Sequence, residues 1–336
     1  MALDAEVERG RVPPDRGAQS KCETSQDSRC QRPMRLDFYT LDVFTKQRFG
    51  GNPLAVVLGA DELSDERMQA VAREFNLSET VFVTAPKNPA HSAGMRIFTP
   101  REELKFAGHP TVGTAVLLAE LKAGAIDAEQ DSIVALEQPI GLVRVGLRLK
   151  RGEAGFAEFD APKIPMDAGA LPGVEKLAAG LGLIANEIGF ENHRARCFAA
   201  GPAFAMIPVS TREAIAKARV NPANWSAAFD EQGIVGTYLY TRQCLHNTSA
   251  FHARMFAPAL GVPEDPATGS AAICLAGAIH QFDDFPDGTH KRVVEQGYEM
   301  GRPSEIQVSL IVRGGALETV RIGGQAIRVA EGRITV

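Results

Sequence analysis

Arg96-Ile97-Phe98-Thr99-Pro100 returns 158 residues later as Arg254-Met255-Phe256-Ala257-Pro258, both Arg-x-Phe-x-Pro, and each copy is followed by a second matching element. His109-Pro110-Thr111-Val112-Gly113-Thr114-Ala115 aligns with Asp265-Pro266-Ala267-Thr268-Gly269-Ser270-Ala271 at an offset of 156. A two-residue difference in the connecting loop reconciles the offsets, and two ordered matches in one register are hard to attribute to coincidence. The chain reads as two structurally duplicated halves whose repeated passages, Arg96 to Ala115 and Arg254 to Ala271, build one shared active site.

Each second element opens a helix, because proline is favoured in a first turn, where its missing N–H costs nothing. The helices expected over 110–122 and 266–280 are apolar nearly all round, with Val116-Leu117-Leu118-Ala119 in one and Ala271-Ala272-Ile273-Cys274-Leu275-Ala276 in the other. A helix apolar on every face is buried, which gives one central helix per half, wrapped by that half's strands. Buried helix N-termini present free N–H groups and partial positive charge, which suit an anionic ligand such as a carboxylate. Gly113 and Gly269, lacking side chains, would let that ligand approach the backbone. Pro-x-x-Gly can also simply start and pack a core helix, but packing alone leaves unexplained the polar residue before the proline in both copies, His109 and Asp265.

The rest of the chain is strand-rich with single helices between. Residues 35–44 form the first convincing strand; 142–150 alternate apolar and polar, turn at Gly152 and return over 155–159; 305–313 and 316–322 form a second hairpin across Gly314-Gly315. Ser64 caps a helix over 65–75 with Met68, Val71, Ala72 and Phe75 on one face. The class expected is α+β, two pseudo-symmetric halves, each a curled, mostly antiparallel sheet or barrel around its helix. The first half takes 34–150 with about 323–336, the second 151–322. Residues 1–33 are polar and nearly lack large apolar side chains, and read as a disordered extension.

Hydrophobic residues make up 45% of the 336 and charged residues 23%, ordinary usage for folded domains, and length alone favours two. The net charge of -5, without long runs of one sign, leaves no footprint for nucleic acid or an anionic membrane. No apolar run approaches the ~20 residues of a membrane span, and no signal-peptide core is evident. Five cysteines without a Cys-x-x-Cys pair fit reduced thiols in the cytoplasm and give a zinc site no support. A small molecule is the expected partner.

Residues 76–83, Asn76-Leu77-Ser78-Glu79-Thr80-Val81-Phe82-Val83, read as a strand in which Glu79 points with Leu77, Val81 and Val83. A carboxylate on an apolar face is desolvated, its pKa rises, and it becomes a general acid or base near neutral pH. On the strand pattern alone, a Glu79 facing solvent or paired with an arginine fits as well. His109 can shuttle a proton or cap its helix. Asp265 before Pro266 can serve chemistry or act as an N-cap. Ser270, in a first helical turn, can bind a carboxylate or satisfy backbone. The remaining histidines show no spacing that demands a metal.

These residues resemble the PhzF-like isomerases of phenazine biosynthesis, related in fold to diaminopimelate epimerase. The resemblance rests on Asp42-Val43-Phe44 with Gly51-Asn52-Pro53-Leu54-Ala55-Val56-Val57, on Asn76-Leu77-Ser78-Glu79, on Arg96 to Pro100 with Glu103-Leu104, on Phe106 to Thr111, and on Glu264 to Ala271, and it covers 34–336. It implies that Glu79 matches the family's catalytic acid/base and that His109, Asp265 and Ser270 line the cleft between the halves. It also implies a proton shift on a small carboxylic acid, as in isomerisation of a dihydro-hydroxyanthranilate, without metal, nucleotide or pyridoxal cofactor, in a homodimer. The expected site is therefore Glu79, His109 and Asp265 for catalysis, with Ser270, Gly269, Gly108, Thr111 and Gly113 binding substrate. Related epimerases use two facing thiols, whereas His109 and Asp265 stand in the matching passages here, which favours carboxylate-centred proton transfer.

Two rival classes remain at this level. His109, Asp265 and Ser270 could form a Ser-dependent hydrolase, although Gly-x-Ser-x-Gly is missing. A non-catalytic small-molecule binding protein would keep the cleft without the chemistry.

Overall fold

The computed structural model describes residues 34–230 and 233–336. The extension expected over 1–33 lies outside the described residues. Among the described residues, no helix is long and apolar enough to cross a membrane.

The first half contains Arg35–Val43 (β1), Asn52–Val57 (β2), helix Asp65–Phe75 (α1), Glu79–Thr84 (β3), Ala93–Phe98 (β4), Glu103–Leu104 (β5), helix Gly108–Ala123 (α2), Gln130–Gln138 (β6), Gly141–Leu149 (β7) and Gly155–Asp160 (β8). The second contains Met166–Ala170 (β9), helix Val174–Leu181 (α3), Arg196–Ala199 (β10), Ala203–Pro208 (β11), helices Arg212–Lys217 (α4) and Pro222–Phe229 (α5), Ile234–Thr241 (β12), Phe251–Ala257 (β13), Val262–Asp265 (β14), helix Gly269–Phe282 (α6), Gly288–Gln296 (β15), Ser304–Arg313 (β16) and Ala316–Thr335 (β17).

Pairing closes the first half into a barrel of eight strands, running β1, β2, β3, β4, β6, β7, β8, β17 and back to β1. Only β2–β3 and β4–β6 are parallel, and β5 hangs from the edge of β4. The second half repeats the scheme as β9, β10, β11, β12, β13, β15, β16, β17, with the parallel pairs again at β11–β12 and β13–β15 and β14 hanging from β13. Among the described residues no pairing joins β9 to β17, so this ring stays open at one seam.

α2 and α6 run through the two rings, α2 against β1, β2, β3, β6, β7, β8 and β17, and α6 against β9, β10, β11, β16 and β17. Their buried residues and the inward strand faces form one continuous apolar core. A smaller core of Leu177, Leu181, Ile215, Trp225 and Phe229 from α3, α4 and α5 covers the outer face of β11 and β12. The α+β class and the two wrapped helices are as the sequence indicates.

Three elements differ from expectation: β8, at Gly155–Asp160, closes the first ring although the second half is expected to begin at 151, and β17 and β3 have other bounds. The strand expected to end at 322 runs on to Thr335 and serves both rings, pairing in turn with β16, β8 and β1. Gly323 and Gly324 make that passage possible. A Cβ at Gly323 would lie 2.8 Å from the Glu158 side chain, and one at Gly324 would lie 2.5 Å from the Phe44 ring. β3 starts at Glu79 rather than at Asn76, because Asn76 takes a left-handed conformation (φ 51°) to close α1. Ser64 caps α1 as expected, its hydroxyl accepting from the Arg67 N–H at 3.3 Å.

Candidate active site

The two repeated passages start their helices differently. α2 begins at Gly108, with Pro110 in its first turn, whereas α6 begins only at Gly269, leaving Asp265, Pro266 and Ala267 outside it. Asp265 is the last residue of β14, and the N-cap of α6 is Thr268 (φ -118°, ψ 92°), so the reading of Asp265 as an N-cap is corrected. Thr268 makes no side-chain cap bond, because its hydroxyl donates to Asp265 Oδ2 at 2.6 Å.

The helix N-termini meet head to head. A Cβ on Gly108 would lie 2.9 Å from Gly269 Cα, and one on Gly269 3.1 Å from Gly108 Cα. The glycines thus serve the close approach of two first turns, whose leading N–H groups have no intrahelical partner. Gly113 is corrected: a Cβ there would strike the Leu54 and Val43 side chains in the core. As the sixth residue of α2 its N–H also belongs to the helical ladder, so it offers nothing to a ligand. Thr111 is corrected likewise. Its buried hydroxyl donates to Ala107 O at 2.7 Å and accepts from Gln138 Nε2 at 3.0 Å, away from the cavity.

Beside these N-termini lies a cavity of about 160 Å³, lined by both halves. Glu79, Asp265 and Ser270 face it, and Leu104, Phe106, Phe204, Met255 and Leu260 give it an apolar wall. Glu79 shares the β3 face of Val81 and Val83, which pack into the core around α2. Burial, and then the negative charge of Asp265, raise its pKa well above the ordinary carboxylate value. Its Oε2 is buried without a hydrogen-bond partner.

His109 Nε2 lies 3.4 Å from Glu79 Oε2 and is itself unpartnered. Burial lowers the His109 pKa to about 3, so the imidazole is neutral and the contact is no ion pair. His109 does not line the cavity; it stands behind Glu79. Burial also lifts Asp265, to about 6, against three donors: Thr268 at Oδ2, and at Oδ1 the Asn52 amide at 2.8 Å and the Ser78 hydroxyl at 3.1 Å. The site holds two buried carboxyls side by side, one rich in donors and the other with an orphaned oxygen.

Among the described residues no hydrogen bond links Ser270, His109 and Asp265, so the serine-hydrolase arrangement is not assembled. Cys274 is buried within α6, its thiol pushed up to about 12 by burial.

Sequence reasoning missed Asn52, Ser78, Thr268, Gln296 and Tyr238. Asn52 and Ser78 stand inside the passages that carry the resemblance, but nothing local says that they reach Asp265, far along the chain. A signal for Gln296 existed: Leu136-Glu137-Gln138 ends β6 as Val294-Glu295-Gln296 ends β15, again at an offset of 158. Glu137 accepts the N–H groups of Lys87 and Asn88, and Glu295 those of Leu245 and His246, also 158 apart. The Arg-x-Phe-x-Pro copies are structural. Arg96 grips Glu103 and Arg254 grips Glu264 with two nitrogens each, and each guanidinium lies over the phenylalanine two residues on, at 5.2 and 4.8 Å.

Two wrapped helices meeting at a pair of buried carboxyls define a diaminopimelate epimerase-like fold with acid–base equipment between its halves. The chain belongs to the phenazine biosynthesis-like (PhzC-PhzF) family, whose model matches residues 41–332. It is 48% identical to an uncharacterized isomerase of Mesorhizobium japonicum over 89% of this chain and 99% of that one. It is 33% identical to the trans-2,3-dihydro-3-hydroxyanthranilate isomerase of Pseudomonas aeruginosa, over 88% of this chain and 98% of that one. The crystal structure of a PhzF-family phenazine biosynthesis protein from Bacillus anthracis matches with a TM-score of 0.78 at 24% identity, covering 90% of this chain and 100% of its own, a likeness of fold.

Proposed function

We propose that this isomerase moves a proton between two carbons of a small carboxylic acid, with Glu79 as the carrier. The carboxylate of the substrate lies against the facing N-termini of α2 and α6, where unpaired N–H groups and the Ser270 hydroxyl receive it. That charge compensation acidifies a neighbouring C–H. Ionised Glu79 takes the proton, the electron pair spreads into the conjugated acid, and the proton returns from Glu79 to another carbon as the double bond shifts. No atom or electron enters or leaves overall, so these side chains suffice for the step. His109, neutral and 3.4 Å behind, keeps Glu79 aimed and can receive a hydrogen bond from its acid form. The apolar wall of Phe106, Phe204 and Met255 suits a flat hydrocarbon portion.

The observation that carries this reading is Glu79 itself, a desolvated carboxyl with an orphaned oxygen, beside two converging helix N-termini. Among the described residues Cys197 and Cys274 are buried free thiols, which suits a reducing, cytoplasmic setting. The test is solvent-deuterium incorporation, assayed first with trans-2,3-dihydro-3-hydroxyanthranilate, the compound for which a relative is named. Glu79→Gln is expected to lower exchange by about 10²- to 10⁴-fold. Full exchange in that variant would remove Glu79 from the role.

A further inference from the structure

The network behind Asp265 has a direction. Gln296 Nε2 donates to Thr268 Oγ1 at 3.2 Å and to Asp265 O at 2.7 Å, while its Oε1 accepts from Tyr238 OH at 3.0 Å and from the Thr268 N–H at 3.2 Å. With both acceptor bonds on Oε1, the orientation of the Gln296 amide is fixed. Thr268 Oγ1 accepts a hydrogen bond from that amide, so its single hydroxyl hydrogen points to Asp265 Oδ2, 2.6 Å away. Asn52 holds the opposite carboxylate oxygen, and its amide also donates to Ala267 O at 2.9 Å. Tyr238, Asn52 and Gln296 are fully buried, and Thr268 nearly so.

The first half contains the same glutamine–threonine device aimed elsewhere. Gln138 donates to Thr111 Oγ1 at 3.0 Å, but the Thr111 hydroxyl donates to the carbonyl of Ala107, and among the described residues Gln138 Oε1 is left without a partner. One copy of the device therefore braces a helix start, and the other delivers a proton donor to a carboxylate in the cavity.

We propose that Gln296, acting through Thr268, is a positioning residue that holds Asp265 as the charged member of the carboxyl pair, so that Glu79 is the member that gains and loses the proton. Among the described residues Glu79 has no comparable donor, and a fixed negative charge beside it makes it the stronger base. The other titratable groups facing Asp265 do not displace this assignment. Glu264, its neighbour on β14, is paired with Arg254 at 2.8 Å, Tyr238 on β12 is neutral through burial, and His109 on α2 is uncharged.

The inference rests on the proposed role of Glu79, but its test does not need turnover. The whole protein, ¹³C-labelled at aspartate Cγ and glutamate Cδ, is titrated by NMR, with Asp265→Asn and Glu79→Gln assigning the two signals. Thr268→Val and Gln296→Leu are expected to raise the Asp265 midpoint by about one pH unit and to lower that of Glu79, because the proton changes places. Thr268→Ser, which keeps the hydroxyl, restores both midpoints, and Gln138→Leu leaves them where they are. Midpoints unchanged in both Thr268→Val and Gln296→Leu would overturn the proposal, as would equal shifts in Gln138→Leu. If Glu79→Gln keeps full deuterium exchange while the midpoints move as stated, the catalytic role of Glu79 falls and the network assignment stands.

Discussion

Glu79 holds a carboxyl that the folded protein would rather keep protonated, and this has a sign that can be checked. Its folded pKa lies above the ordinary value of 4.5. The native state therefore binds a proton that the unfolded chain has released, and the group destabilises the fold increasingly as pH rises through that window. Glu79→Gln is expected to unfold at a higher temperature than the parent at pH 8, with the gap closing towards pH 4; calorimetry at both pH values reads it. His252 shifts stability with pH in the same direction, but there it is the charged form that the fold favours. Burial pushes its pKa down, but hydrogen bonds to Glu295 at 2.9 Å and Glu299 at 2.8 Å prevail and raise it to about 9. Its contribution is complete below pH 6.5 and is lost as pH rises through 9. His252→Gln is expected to lose about 3 kcal/mol at pH 6 in urea unfolding, with a smaller loss at pH 9. Glu79 was legible because one charge interrupted an apolar strand. His252 was not, since its partners lie 43 and 47 residues away, and one side chain in a sequence does not announce a contact made by topology.

The element that decides the site is the helix start, and here the sequence spoke clearly about existence and less clearly about register. Pro110 and Pro266 marked both helices, yet α6 begins five residues later in the repeat than α2's counterpart would place it. Polar anchors from Asn52, Ser78 and Gln296 keep 265–267 out of the helix. Gly113 and Gly269 drew attention for the right reason, the missing Cβ, but the neighbour that needs the space is protein: core side chains for one, the opposing helix for the other. Gly108→Ala is expected to force the two first turns apart, with a loss of roughly 1–3 kcal/mol in denaturant unfolding and a fall in exchange activity. Gly146→Ala, whose added carbon would meet nothing nearer than 3.8 Å, is the control and should leave both nearly unchanged.

At the scale of the molecule, duplication was readable from two short matches, but the sharing of β17 was not. The sequence pattern breaks at Gly323-Gly324, which looks like a boundary and is instead the crossing of one strand between two rings. Because that strand and a single continuous core serve both rings, thermal unfolding of 34–336 is expected to be one transition. Two resolved calorimetric peaks would show that the halves melt separately. The head-to-head helix starts carry a consequence beyond catalysis. Like partial charges face each other where the two first turns touch, so an anion that settles beside them is coupled to the folding equilibrium. A true substrate should therefore announce itself as a thermal protectant, by about 2.7 kcal/mol at a hundred times its Kd. A library of small organic acids ranked by melting shift, with Ser270→Ala as the insensitive comparator, could thus find the natural ligand before any product is known.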